Sequence, residues 1–230
     1  MSNNNKSNII SGTGRLLFRL VLLILLVYAG YALYKEFFDR PPPLPEGRQT
    51  GIYMVEIIDG DTGVLSDGNT VRYIGIDTPE VGEPFYEDAK KLNSHFCLGK
   101  QVRIEYDHRR RDRYDRILAY IFVDDSLMIN ELLVEAGFAN VYIFPYDQKN
   151  IQYRRRLITA QIRAIDASRG IWSLPPPEPA ANYYGNSNSF RFHRPDCRTL
   201  NRSDASKMLN FESRYDFLEL GFSPCRVCNP

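Results

Sequence analysis

The sequence predicts a small five-stranded antiparallel barrel with flanking helices, an α+β fold, set between an apolar N-terminal helix and a small metal-binding module. Three observations predict it. Short apolar runs punctuated by Asp-Gly and Asp-Gly-Asn fill residues 51–76, two helical periodicities close the same region within residues 126–170, and proline-rich breaks flank it on both sides. A chain of 230 residues leaves room for one ordinary domain plus a smaller unit, and 43% hydrophobic residues supply a core.

Residues 1–48 come first, with an Asn/Ser-rich tail that carries Lys6 and Arg15. "LLFRLVLLILLVYAGYALY", Leu16 to Tyr34, then runs 19 residues with Arg19 as its only charge. Such a helix spans a hydrocarbon core of roughly 30 Å. Arg19 lies near one end, where it can snorkel, and Tyr28, Tyr31 and Tyr34 form an interfacial belt. No clean small-x-small cleavage site follows. The expectation is an uncleaved single-pass anchor in the plasma membrane with the bulk of the chain on the outer face. A cleaved leader and a buried core helix are the alternatives, and Lys35, Arg40 and Arg48 beyond the helix leave the Lys/Arg balance indecisive for orientation. "DRPPPLPEGR" reads as a stiff, extended spacer.

Residues 49–173 carry the barrel. Strands are expected at 52–58, 62–66 and 69–76, then a helix over Pro84 to Cys97, then strands at 101–107 and 116–124. Two helices follow. In the first, Ile129, Leu132, Leu133 and Ala136 form one face and Gly137 supplies a stop; in the second, Ile151, Ile158, Ile162 and Ile165 form a stripe ended by Gly170, with Arg154 to Arg156 on a solvated face.

A linker at 174–189, "LPPPEPAANYYGNSNS", leads to a module at 190–230. There His193, Cys197, Cys225 and Cys228 give H-x3-C-x27-C-x2-C, a ligand set and spacing suited to tetrahedral zinc. A unit of this length buries little and needs a staple. A disulfide is the alternative, favoured by an exported location. Cys97, His95 and His108 stand apart and read as packing or surface.

The net charge of +1 excludes a generally basic polyanion binder. Residues 49–172 hold 16 Lys/Arg against 19 Asp/Glu, an acid excess that suits a polyanion only if some of the acids hold a cation. The acids sit where that can happen. Asp61 lies in "DGDT" at the first hairpin, while Asp77 and Glu80 end the third strand in "VRYIGIDTPE". Hard cations take carboxylate and carbonyl oxygens from separate loops. Arg72 lies within that strand and Arg116 opens the fifth, and guanidinium forks bind phosphate oxygens in pairs. With an acid free to activate water, the set describes phosphodiester hydrolysis. Ordinary turn chemistry is the plainer reading of Asp-Gly and Asp-Thr-Pro, and a strand arginine ordinarily pairs with a neighbouring acid.

"DGDT", "VRYIGIDTPE" and "DRYDRILAY", followed by "INELLVEAGFANVY" and the closing "GIWS", resemble the staphylococcal nuclease family over about Gly51 to Trp172. The resemblance implies an OB-fold barrel and calcium-dependent cleavage of DNA and RNA to 3'-phosphate and 5'-hydroxyl ends. Carried over by position, it implies calcium ligands at Asp61, Asp77 and the Thr78 carbonyl, a water-activating or water-positioning Glu80, and a phosphate clamp of Arg72 and Arg116. Asp59 would stand behind the metal and Tyr114 beside the substrate. The loop "VGEPFYEDAK" is shorter than the lysine-bearing loop the family often carries. The C-terminal spacing is similar to the metal-binding domain of the Ada DNA-repair proteins, with His193 in place of that family's first cysteine, so its methyl-acceptor chemistry is not implied. Arg191, Arg194, Arg198 and Arg226 form either a DNA-touching or a merely solvated basic face. The competing function is a non-catalytic nucleic-acid or protein binding module on a nuclease-like barrel.

Overall fold

The computed structural model describes residues 18–30, 51–124, 126–144, 151–200 and 205–230. Two compact units divide the chain at residue 42. In the first, residues 18–30 form helix α1 with every side chain exposed. Among the described residues no helix is long and apolar enough to cross a membrane. Both ends of the expected span, 16–17 and 31–34, lie outside the described residues, as does the proline-rich spacer.

The second unit opens with β1 (Ile52–Ile57), β2 (Thr62–Leu65), β3 (Thr70–Tyr73) and β4 (Gly75–Asp77), followed by helix α2 (Tyr86–Cys97). β5 (Gln101–Arg111), β6 (Ile117–Val123), β7 (Leu127–Met128), α3 (Ile129–Glu135), β8 (Asn140–Tyr142) and α4 (Ile151–Asp166) complete the barrel region. Antiparallel ladders join β3 to β2, β2 to β1, β1 to β5 and β5 to β6, and a parallel pairing of β3 with β6 closes the five-stranded barrel. All seven residues of β6, "ILAYIFV", are buried because the strand is paired on both edges and covered on both faces.

The third strand differs from its expected span of 69–76. It breaks at Ile74, and Gly75 takes φ +78, a left-handed conformation in which any added Cβ would lie 2.7 Å from Leu157 Cδ1. That break turns β4 away to pair with β8. β5 runs to Arg111 rather than Asp107. The helices keep their places, but their buried seams are rotated. In α4, Leu157, Ala160, Gln161 and Ala164 are buried while Ile151 is exposed. In α3, Asn130 and Val134 are buried with Ile129 and Leu133. Isoleucine counting misses these seams because small residues and satisfied amides fill the closest contacts.

Three buried amides tie the elements together. Asn93 of α2 donates to the carbonyls of Asp59 and Gly60 and accepts from Tyr73 Oη. Asn130 donates to Ile74 O and accepts from Ile121 N–H. Gln161 accepts from Val141 N–H and donates to Leu218 O, which lies in the C-terminal module.

That module is β9 (Tyr183–Asn186), β10 (Arg191–His193), β11 (Met208–Phe211), α5 (Arg214–Glu219) and β12 (Ser223–Pro224), with sheet order β11-β9-β10-β12. Its sheet begins at Tyr183, inside the stretch whose composition marks a linker at 174–189. Tyr183, Phe192, Phe217, Leu218 and Phe222 form its core, against which Ile165 of α4 and Trp172 pack. The Ser223 hydroxyl donates to Val141 O at 2.6 Å in a buried contact. The module is thereby docked on β8 and α4.

Candidate active site

Sheet register assembles the charged residues. Thr62 and Arg72 are partners across β2 and β3, and Tyr73 N–H donates to Asp61 O at 2.8 Å, so Asp61 and Arg72 adjoin. β3 also lies beside β6 with Arg72 opposite Leu118, two residues past Arg116. The turn at Gly75 brings Asp77 back toward Asp61. Arg72 bridges the two acids, with Nη1 at 3.0 Å from Asp61 Oδ2 and Nη2 at 3.1 Å from Asp77 Oδ1. It also donates to the carbonyls of Tyr73 and Ile76. The strand charge is therefore paired with neighbouring acids.

Asp61 is the most constrained of the acids. Its Oδ2 accepts from Thr78 N–H at 2.9 Å and from Thr78 Oγ1 at 3.0 Å. Burial pushes its carboxyl up to about 6, against the pull of Arg72, and the neighbouring Asp59 and Asp77 charges act in the same direction as burial. The Asp59 carboxylate accepts from Asp61 N–H and shapes the turn. A buried acid crowded by like charges gains from a cation. The carboxylates of Asp61 and Asp77 converge on one guanidinium beside Thr78, a set of hard oxygen donors that fits calcium chemistry.

Arg116 donates from Nε to Asp112 Oδ2 at 2.7 Å. Burial alone would raise Asp112, but hydrogen bonds from Arg116 and from the backbone of Tyr114 and Arg116 hold its carboxyl below its ordinary value. The Arg116 guanidinium lies 5.5 Å from the Tyr114 ring centre, and that ring is exposed. Glu80 is exposed, at 66% of its side chain. Its loop is held by Glu80 N–H donating to Glu83 Oε2 and Glu83 N–H donating to Glu80 O.

A cleft of about 570 Å³ gathers Asp61, Arg72, Asp77, Thr78, Glu80 and Arg116, so the candidates expected from sequence share one site. Its volume falls in the range of small-molecule sites. The cleft also takes in residues that sequence reasoning missed. Tyr142 and Phe144 are brought there by the β4–β8 ribbon, in which Tyr142 pairs with Gly75. "NVYIF" carried only the generic signal of a strand with alternating aromatics. Arg226 comes from the far end of the chain, with no sequence signal linking it to Asp77 and Glu80.

A family described as staphylococcal nuclease homologues matches residues 70–174. A thermonuclease of Staphylococcus hyicus is 31% identical over 165 residues, covering 66% of this chain and 95% of the relative. A thermonuclease of Staphylococcus intermedius is 35% identical over 130 residues, covering 52% of this chain and 75% of the relative. Endonuclease YncB of Bacillus subtilis is 35% identical over 127 residues, covering 50% of this chain and 58% of its own length. The chain belongs to the staphylococcal nuclease family. The matched residues 70–174 run from β3 through α4, and so include the β3–β6 pairing that closes the barrel.

The C-terminal cluster lies outside the staphylococcal nuclease match. His193, Cys197, Cys225 and Cys228 place their ligand atoms within 4.8 Å of one another, and all four cysteines of the chain are free of disulfides. Val227 N–H points to Cys225 Sγ and Arg194 N–H to Cys228 Sγ, each at 3.4 Å. Amides aimed at sulfur favour thiolates, as metal ligation requires. Burial pushes the Cys228 thiol up to about 12 and holds His193 below its ordinary value, while at Cys197 burial is outweighed by hydrogen bonds from Thr199, which hold that thiol below its own. Cys97 is buried elsewhere, under Tyr73 Oη.

Proposed function

We propose that the protein is a membrane-anchored, calcium-dependent nuclease that hydrolyses phosphodiester bonds in DNA or RNA to 3'-phosphate and 5'-hydroxyl ends. The observation that carries this reading is the convergence of Asp61, Arg72 and Asp77 with Glu80 and Arg116 in one open cleft. The thermonuclease and endonuclease names of the relatives support it.

Asp61, Asp77 and the Thr78 carbonyl would hold calcium, which when bound would supply positive charge to a phosphate oxygen. Arg72 would present its positive charge to one phosphate oxygen, and Arg116 would hold a second from its seat on Asp112. Glu80, exposed at the cleft, accepts a proton from water as the water oxygen attacks phosphorus and the bond to the 5'-oxygen breaks, and that oxygen takes a proton from solvent to become the 5'-hydroxyl. The charge gathered on the phosphate oxygens falls to the two guanidinium groups. The Cys/His cluster is read as a structural zinc site that staples the module.

The anchor reading rests on the 19-residue run from Leu16 to Tyr34, with Arg19 its only charge, and on the exposed apolar side chains of α1. It places the nuclease unit on the outer face of the plasma membrane, and protease treatment of intact cells tests that side.

The full chain in detergent, incubated with single-stranded DNA and calcium, tests the activity. Cleavage abolished by a chelator is expected. Glu80→Gln and Arg116→Ala should each reduce the rate by about 10² or more with the fold intact. Binding without cleavage at every calcium concentration and pH would instead make the barrel a nucleic-acid binding module.

A further inference from the structure

Arg226 lies between Cys225 and Cys228, yet its guanidinium ends at the cleavage site nearly 150 residues earlier in the chain. Its Nη2 pairs with Asp77 Oδ2, and its Nη1 is 3.2 Å from Glu80 Oε1. Both ends of this contact are built. On the barrel side, Asp77 is fixed by Arg72 through its other oxygen. On the module side, the turn at 225–229 is held by Cys225 N–H donating to Phe192 O and Asn229 N–H to Cys225 O, and by the amide contact to Cys225 Sγ.

The module's seat is equally defined. The Arg191 guanidinium stacks 3.4 Å from the centre of the Tyr142 ring and donates to Ile143 O. The buried bonds from Ser223 to Val141 and from Gln161 to Leu218 fix the same interface. Gly221 comes so close to Ile158 and Ile143 that an added Cβ would lie 2.7 Å from Ile158 Cδ1.

Resting on the nuclease reading above, we infer that Arg226 is a positioning residue of the cleavage site: the Cys/His cluster holds it so that it ties the Glu80 carboxylate to Asp77. Glu80 needs such a tie. Its side chain is two-thirds exposed, and a free carboxylate on a surface loop samples rotamers that do not face the attacking water. A guanidinium presents five N–H donors in one plane, so Arg226 can span two carboxylates and still face the cleft with the rest. Lysine offers the charge without the fork. The consequence is a composite site, complete only when the C-terminal cluster holds its metal. The protein thereby makes cleavage depend on the folding of a module that lies outside the matched residues 70–174.

The experiment compares kcat and KM on single-stranded DNA at saturating calcium for the full chain, R226M, R226K, C228S and the double variant R226M/C228S, with zinc content and circular dichroism measured on each. R226M is expected to keep its zinc and its spectrum, to lose about tenfold in kcat and to change KM by less than about threefold, because Glu80 is displaced rather than removed. R226K should recover part of that loss. C228S should lose zinc and fall to the level of R226M, and the double variant should fall no further, since both changes release the same guanidinium. Wild-type kcat in R226M, a higher kcat in R226M, or losses that multiply in the double variant would each overturn the inference while leaving the nuclease reading in place. An inactive wild-type chain would overturn both.

Discussion

The corner where β2, β3 and β4 meet and the Cys/His cluster of the C-terminal module both crowd ionisable side chains together, and they hold them by different means. At the corner the backbone does the holding. Asp61 is pinned by the Thr78 amide and hydroxyl, Arg72 by two carbonyls and two carboxylates, and the strand ladders behind them are covered by 26 buried apolar residues. At the cluster, the core beneath has five buried side chains among the described residues. The Thr199 hydroxyl lies 3.1, 3.0 and 3.7 Å from His193 Nδ1, Cys197 Sγ and Cys225 Sγ. A chain that has enough core can place charge by register alone, whereas a small module relies on a bound ion to keep its ligands in place.

The comparison breaks first at Arg72. Arg72→Ala removes the residue that bridges Asp61 and Asp77, and arginines that neutralise transferring phosphates are worth about 10³ to 10⁵ in rate. Cleavage should fall by about 10³ or more. The barrel should still fold, and added calcium should raise its melting temperature by more than it does in the wild type, since Asp61 has lost its internal cation and Asp77 keeps one of two. If the variant cleaved at the wild-type rate, register would be assembling charge for structure alone.

The cluster should fail differently. Removing its metal with a chelator, or replacing Cys225 by Ser, is expected to speed amide exchange in β9 to β12 by on the order of 10²-fold, about 3 kcal/mol. Amides of β1, β2, β3, β5 and β6 should keep their protection. Mass spectrometry of exchanged peptides separates the two regions. Equal loss in both would mean that barrel and module share one cooperative core through Ile165 and Trp172.

Much of the corner was legible in the sequence, because Asp-Gly turns and apolar runs fix where strands end and so where Asp61, Asp77 and Arg116 sit. The five-stranded barrel followed from the same punctuation. What was illegible has a common physical cause. Asn93, Asn130 and Gln161 are buried because each satisfies a pair of backbone groups from distant segments, and neither apolar periodicity nor local turn chemistry reports such pairings. The break at Gly75 was hidden by the good strand sequence on either side of it. Tyr183 looked like linker because prolines precede it. Arg226 was visible only as one basic residue among four, and its partners are defined by how the module docks.

The smallest effect belongs to a group that imitates the corner without its burial. Arg163 pairs with Glu135 through Nη2 at 2.7 Å and Nε at 3.0 Å, a two-point contact as good on paper as that of Arg72. The hydrogen bond from Arg163 is the largest influence on Glu135 and holds its carboxyl below the ordinary value. That contribution is present above the ordinary carboxylate range and is lost as pH falls through it. Yet both side chains are more than a third exposed, 45% and 36%, so water and salt screen the pair. Arg163→Ala is therefore expected to cost no more than about 0.5 kcal/mol in a denaturant melt at neutral pH, less at high salt, and to leave cleavage unchanged. A cost comparable with that of a buried pair would mean that the α3–α4 contact, and not the register of β2 and β3, is where this fold spends its electrostatic design.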